Sequence, residues 1–529
     1  MTDLSPASLA RERHAAPTSG TSVGAADGEV VDLDQARARQ SLQLRVAQQT
    51  APPPVGSAAR TDGLKERTPQ LDRLEPGVRH GIRRFVVLVC LVPLLALLAR
   101  QVPRFIEDPI LLSYGMSVLL GTIVLFYLAY TRYDDPADPR FTDVPNTAQA
   151  PPLPAVPTVS LLVAVMNEID VIERCVRSMV ESDYPQLEVI VVDDASTDGT
   201  AERLDALARE LGFTLVALAS NRGKKHALVE GAGHARGEVI GFTDSDCVLA
   251  PDALRRCVAA LVAHPGLGAV SGHARALNAD QSLLTKVQDT WYEGSFRVAK
   301  AAEATQGTVT CVSGPLAVFR RDAIWNYLPA WANDRFLGGE FRFATDRQLT
   351  GYVLGQRWCG RALKQAHRDS LFVAQQDFPE REWRVGYVRS AHVWTVVPAG
   401  IRSFMRQQVR WKKSFVRNLC FTGRFMWRRG VGPSALYYGH VLWVLMAPLM
   451  AVRHLVWAPM HGMWMLSALY IGGVTVKGLA WGVAYAVDHR GSTRWRYRPL
   501  MSLISSVVLS WVLLYSLLTI RRGIWARQS

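Results

Sequence analysis

Three groups of carboxylates stand where they could do chemistry. In GFTDSDC, Asp244 and Asp246 lie two residues apart after an apolar run. Carboxylates so placed repel each other and lose hydration. A bridging divalent cation relieves that, and hard oxygen ligands suit Mg2+ or Mn2+ shared with a diphosphate. In VVDDASTDGT, Asp193 and Asp194 end another apolar run. They could accept hydrogen bonds from a nucleobase or ribose; the same residues also read as a turn and helix cap. In FRFATDRQLTG, Asp346 is the one carboxylate, either an ion-pair partner for Arg347 or a base. Lys224 and Lys225, in NRGKKHAL, offer cations for a nucleotide or the start of a solvated helix.

The elements that must position these groups alternate. TVSLLVAVM, LEVIVVDDAS, FTLVALAS and GEVIGFTDSD are apolar, β-branched runs; DVIERCVRSMVES and TAERLDALARELG have helical spacing. Strands alternating with helices predict a Rossmann-like, mainly parallel α/β sheet. Ligands bind such sheets beyond the carboxyl ends of the strands, where both paired-acid clusters fall.

The 529-residue chain is 49% hydrophobic with only 9% aromatics, and the apolar residues gather near the start and in the last hundred residues. That is the distribution of a membrane protein with a soluble middle. The division expected is a disordered extension over 1–80, two transmembrane helices over 81–131 and a Pro-rich linker over 132–157. The α/β domain follows over 158–400, interfacial amphipathic helices over 401–430, C-terminal transmembrane helices over 431–522 and a basic tail over 523–529. The net charge of +14 collects beside apolar segments, which fits an anionic inner leaflet and not a nucleic-acid partner. Arginines before the first span predict a cytoplasmic N-terminus and a cytoplasmic α/β domain. Seven scattered cysteines form neither a disulfide framework nor a zinc site.

Seven stretches in order carry a resemblance: VAVMNE, VVDDASTDGT, GKKHAL, TDSD, CVSGPLAVFRRDAI, FATDRQLT and QQVRWKKSF. With the flanking spans, the chain resembles membrane-embedded, processive family 2 glycosyltransferases. That branch includes cellulose, chitin and hyaluronan synthases. The last three stretches are most similar to class I hyaluronan synthases and to relatives that make chitin oligosaccharides. The resemblance implies a GT-A-type domain that polymerises UDP-GlcNAc and UDP-GlcA at the plasma membrane and extrudes the growing polysaccharide. A chitin-like polymer, or a non-processive transfer to a lipid acceptor, is the alternative product. It implies that Asp193 and Asp194 contact the uridine with Lys224 or Lys225 nearby, and that Asp244 and Asp246 hold Mg2+ or Mn2+ and the diphosphate. Asp346 would be the general base. Gln407, Arg410 and Trp411 match a Gln-x-x-Arg-Trp motif: Arg410 would grip the pyrophosphate and Trp411 stack on the acceptor sugar. Ser313 and Gly314 would line the acceptor site. The chain departs from the family pattern at Thr345 and at His273, where an acid is usual.

Overall fold

The computed structural model describes residues 109–138, 150–343 and 345–521, with a few isolated positions between 81 and 96. The extension over 1–80, most of the first apolar run and the basic tail lie outside the described residues.

Among the described residues there are ten strands. They are β1 (Val159–Val165), β2 (Leu187–Asp193), β3 (Thr214–Ala217), β4 (Val239–Thr243), β5 (Cys247–Leu249), β6 (Leu267–Ala276), β7 (Ala317–Arg320), β8 (Arg335–Phe336), β9 (Gly339–Glu340) and β10 (Arg384–Thr395). Eight of them form one sheet in the order β3-β2-β1-β4-β7-β6-β10-β5. β3, β2, β1 and β4 run parallel, β7 is antiparallel to both neighbours, β10 is parallel to β6, and β5 closes the far edge antiparallel to β10. The sheet is therefore mainly parallel, as the alternation predicts. β1 is buried along its whole length, which is why VSLLVAV is continuously apolar. The register pairs Val165 of β1 with Asp193 of β2, and Val163 with Thr243 of β4. Both acid clusters are thus brought to one edge of the sheet.

Among the described residues four helices are long and apolar enough to cross a membrane: Leu112–Arg132, Val431–Met460, Trp464–Asp488 and Arg494–Leu518. The first begins as α1 (Pro109–Tyr127). In the α/β domain, α2 (Lys224–His234) follows β3, and α3 (Leu283–Gly294) follows β6. α4 (Thr345–Gln365) precedes β10, and α5 (Ile401–Thr422) leads to the membrane helices α6 (Val431–Val452) and α7 (Trp464–Asp488).

One buried acid fastens the membrane helices to the sheet. Asp488, at the end of α7, takes Arg297 Nε at 2.9 Å, Arg389 at 3.1 Å and the Tyr130 hydroxyl at 3.1 Å. Arg297 also donates to Ala129 O at 2.9 Å and lies 4.1 Å above the Tyr130 ring. One carboxylate thus joins the first span, the turn after α3, β10 and α7. Beside it Glu293 takes His273 at 2.9 Å and His489 at 3.1 Å. Burial alone would raise the Glu293 pKa, but the two histidines hold it well below the usual range. His273 is therefore part of this joint and not of the acid clusters. Asp488→Asn leaves two buried guanidiniums under-compensated, a loss of about 3–5 kcal/mol. It should lower the unfolding midpoint of the detergent-solubilised protein far more than Asp205→Asn, whose pair with Arg209 is exposed.

Candidate active site

The strand-end acids are positioned through each other's loops. Asp194 accepts the backbone N–H groups of Arg222 at 2.7 Å and Gly223 at 2.8 Å. Gly223 has φ +85°, a left-handed conformation that glycine adopts without strain. This clamped turn starts α2 and aims Lys224 at Asp244, which its ammonium contacts. Burial works against the Lys224 charge, but Asp244 outweighs it and the pKa is raised. Asp193 accepts from the hydroxyl and amide of Ser196, fixing the turn on its own side.

Asp244 and Asp246 converge. Their carboxylate oxygens and the Cys247 sulfur lie within 4.8 Å of one another. Thr395 Oγ1, at the end of β10, donates to Asp246 at 3.3 Å. Burial, then the Asp244 charge, push Asp246 up to about 6. Burial also raises the Cys247 thiol well above its ordinary value, so it stays protonated and is a poor ligand. Two hard carboxylates, with neither imidazole nor thiolate beside them, fit Mg2+ or Mn2+. Arg410, delivered by α5, answers the same charge. Burial lowers its pKa, and Asp244, Asp246 and Tyr292 act in the opposite sense.

Another loop, Ser313–Gly314, lies against Asp244. A Cβ on Gly314 would stand 2.6 Å from Asp244 Oδ2, so a side chain here would have to displace that carboxylate. Ser313 Oγ accepts from Lys300 Nζ at 2.8 Å. Asp346 lies in the first turn of α4, where its Oδ1 accepts the Arg347 N–H at 2.8 Å. Its Oδ2 accepts from Cys311 Sγ at 3.2 Å. Burial, then the Asp346 charge, push that thiol up to about 12, so it remains a donor at neutral pH. The Trp411 ring lies 5.6 Å from Trp291 and 6.2 Å from Tyr292, and it is exposed. Gln407, one turn earlier on α5, has a buried amide oxygen without a hydrogen-bond partner among the described residues.

Lys225 is the exception. Successive helical residues diverge by about 100°. Its ammonium therefore turns inward, donating to Phe341 O at 2.8 Å and Gln348 Oε1 at 2.6 Å, and lying 3.6 Å from Asp334. Of the two lysines only Lys224 enters the site. Sequence reasoning also missed Cys311, Lys300, Thr395 and the Trp291–Tyr292 pair. The single hint was that Cys311 and Ser313 belong to one motif-bearing stretch.

Residues 160–328 match the family described as Glycosyl transferase family 2. Over those residues, about a third of its length, the chain is similar to a family 2 glycosyltransferase domain. It is 32% identical over 270 residues to an N-acetylglucosaminyltransferase of Azorhizobium caulinodans, covering 50% of this chain and 62% of that one. Over 287 residues it is 32% identical to another from Rhizobium meliloti, covering 53% and 61%. A hyaluronan synthase of Streptococcus pyogenes is 26% identical over 356 residues, covering 66% of this chain and 78% of that protein. The chain thus spans under two thirds of the length of the two N-acetylglucosaminyltransferases. A mannosyltransferase from Pyrobaculum calidifontis, solved with GDP-Man and Mn2+, aligns over 78% of this chain and 100% of its own, at 22% identity and a TM-score of 0.44.

If Gly314 is the contact that seats Asp244, Gly314→Ala should cut UDP release by about 100-fold, as a 1 Å displacement at a reacting centre does. A fall of less than about tenfold would show that Asp244 swings aside without penalty.

Proposed function

We propose that the protein is a processive, inverting glycosyltransferase of the plasma membrane. It builds hyaluronan from cytosolic UDP-GlcNAc and UDP-GlcA and passes the chain through its own membrane helices. One observation carries the reading. α5 bears Arg410 beside the paired acids and Trp411 in an aromatic cluster. The same helix reaches the last membrane helix through a bond from Lys413 Nζ to Thr519 O, 2.6 Å long. Donor chemistry, acceptor binding and the spans are therefore joined by one rigid element.

In this reading Asp193 and Asp194 face the uridine, and Lys224 and Arg410 the diphosphate. A guanidinium grips a phosphate bidentately where an ammonium cannot. Asp244 and Asp246 would hold the divalent cation, which when bound neutralises charge on the departing UDP. Asp346 takes the proton of the acceptor hydroxyl as its oxygen attacks the anomeric carbon. The bond from that carbon to the diphosphate breaks on the opposite face, inverting the configuration. The Cys311 thiol and the Arg347 N–H hold the two Asp346 oxygens in place. Ser313, Gly314, Gln407 and Trp411 frame the acceptor.

A second product is favoured by one observation. The N-acetylglucosaminyltransferases match at 32% identity and the hyaluronan synthase at 26%, which supports a chitin-like polymer of GlcNAc. Inverted membrane vesicles given each donor alone and both together separate the two. Hyaluronidase-sensitive polymer only with both donors is the expected result; polymer from UDP-GlcNAc alone would replace hyaluronan with chitin, and a short lipid-linked product would end the processive reading. Asp346→Asn should reduce polymer synthesis by about 10²–10⁴-fold while UDP binding persists. Chelation should stop synthesis and Mn2+ or Mg2+ restore it; synthesis persisting in excess chelator would remove the metal from the reading.

A further inference from the structure

One loop, Thr310 to Gly314, touches both chemical ends of the site. Cys311 donates to Asp346 Oδ2 at 3.2 Å, and Gly314 lies against the Asp244 carboxylate. Whatever fixes this loop fixes the spacing between the proposed base and the paired acids. Three of its backbone N–H groups go to side chains and not to a strand. Thr310 donates to Glu303 Oε2 at 2.9 Å, Val312 to Thr350 Oγ1 at 2.9 Å and Ser313 to Ser271 Oγ at 3.3 Å. The Thr350 hydroxyl in turn donates to Asp346 O at 2.7 Å.

Lys300 makes the most bonds in this bracing. It ends the turn Ser295–Lys300, which is π-helical, a rare geometry that is frequent at functional sites. Its ammonium donates to Cys311 O, to Ser313 Oγ at 2.8 Å and to Ser271 Oγ at 3.3 Å. An ammonium has three protons, and all three are placed. Lys300 is buried and has none left for a substrate. The three oxygens are neutral, so the buried charge does not complete an ion pair. What it holds is the loop. Its nitrogen also lies 4.7 Å from the centre of the Phe296 ring. That ring stacks with Tyr292 at 6.3 Å, and Tyr292 meets Trp411. One lysine is thus tied to the loop on one side and to the aromatic cluster on the other.

We infer that Lys300 is a positioning residue: it locks the Cys311–Gly314 loop in one register between Asp346 and Asp244, and so favours transfer of the sugar to an acceptor hydroxyl over transfer to water. The inference rests on the proposed role of Asp346 as base. In both reactions the bond from the anomeric carbon to the diphosphate breaks and UDP leaves. In transfer the new bond is to the acceptor oxygen, whose proton passes to Asp346; in hydrolysis the new bond is to a water oxygen, which gives up its proton instead. A water molecule is free to approach wherever there is room. A sugar hydroxyl is fixed by its ring, so it needs base and anomeric carbon at one spacing, with reacting atoms about 3–3.5 Å apart. Loosening the loop therefore harms transfer and spares hydrolysis.

The test uses the full chain in liposomes with both donors. Sugar transferred and UDP released are counted separately, and hydrolysis is the UDP released in excess of sugar transferred. Lys300→Met should cut transfer by about 100-fold while hydrolysis stays within about twofold of wild type, as expected for a displacement of about 1 Å at the reacting centre. UDP binding should be unchanged, because Lys300 does not reach the donor. Lys300→Arg keeps the charge and the donors and should restore transfer to within about tenfold. A packing role predicts the reverse order, since Met matches the lysine stem more closely. Ser271→Ala removes a single hydroxyl from the same bracing and should lower transfer relative to hydrolysis in the same direction, so the test survives a Lys300→Met chain that does not fold. Transfer and hydrolysis falling in equal proportion, or a Ser271→Ala chain with the wild-type proportion, would overturn the role of Lys300 and leave the proposed function standing. If wild type passes sugar to a lipid instead of a polymer, the processive reading falls, and the same two counts still decide the role of Lys300.

Discussion

The constraint around which the site is built is the repulsion between Asp244 and Asp246. Two carboxylates within 4.8 Å at a buried strand end cannot both stay ionised cheaply, and Asp246 responds by moving up to about 6. Positive charge must come from elsewhere, and two parts of the chain are shaped to bring it. The Asp194 clamp turns Lys224 onto Asp244. α5 brings Arg410 from far downstream in the chain. A divalent cation is the third source, and the donor set fits one. Even the Ser313–Gly314 loop is shaped around these acids, since a side chain at 314 would displace the Asp244 carboxylate.

Much of this was legible in the sequence. Strand-forming runs ending in acids gave both the sheet and its functional edge, because β-branched runs and strand-end polar residues are local signals. What was illegible depends on phase and on long-range pairing. Lys224 and Lys225 look equivalent in NRGKKHAL, and only the rotation of α2 separates them. β10 carries Arg389 and His392 inside a buried strand, so its composition hides it. The Arg389 charge makes sense only beside Asp488, about a hundred residues later, and His273 meets Glu293 from the next helix and Tyr387 from β10. The Cys311 thiol looked like an inert cysteine until α4 placed Asp346 beside it.

α5 shows how pattern alone can mislead about environment. Its arginines and lysines at helical spacing read as a solvated face at a membrane surface. Yet Lys413 and Arg417 are buried: one donates to the last membrane helix, and the other forms a two-pronged pair with Asp334, which also faces Lys225. The stripe is therefore partly an internal brace. That bracing holds Arg410 and Trp411, whose neighbours on either side of the turn are fixed to different parts of the molecule.

The same energetics bear on the lysine in α7. Placing a lysine at the centre of a span costs about 2.5–3.5 kcal/mol. A cation–π contact returns ~0.5–2 kcal/mol, and Lys477 makes one with Trp443. The balance is unfavourable to folding, in contrast to Asp488, whose charge is answered on several sides.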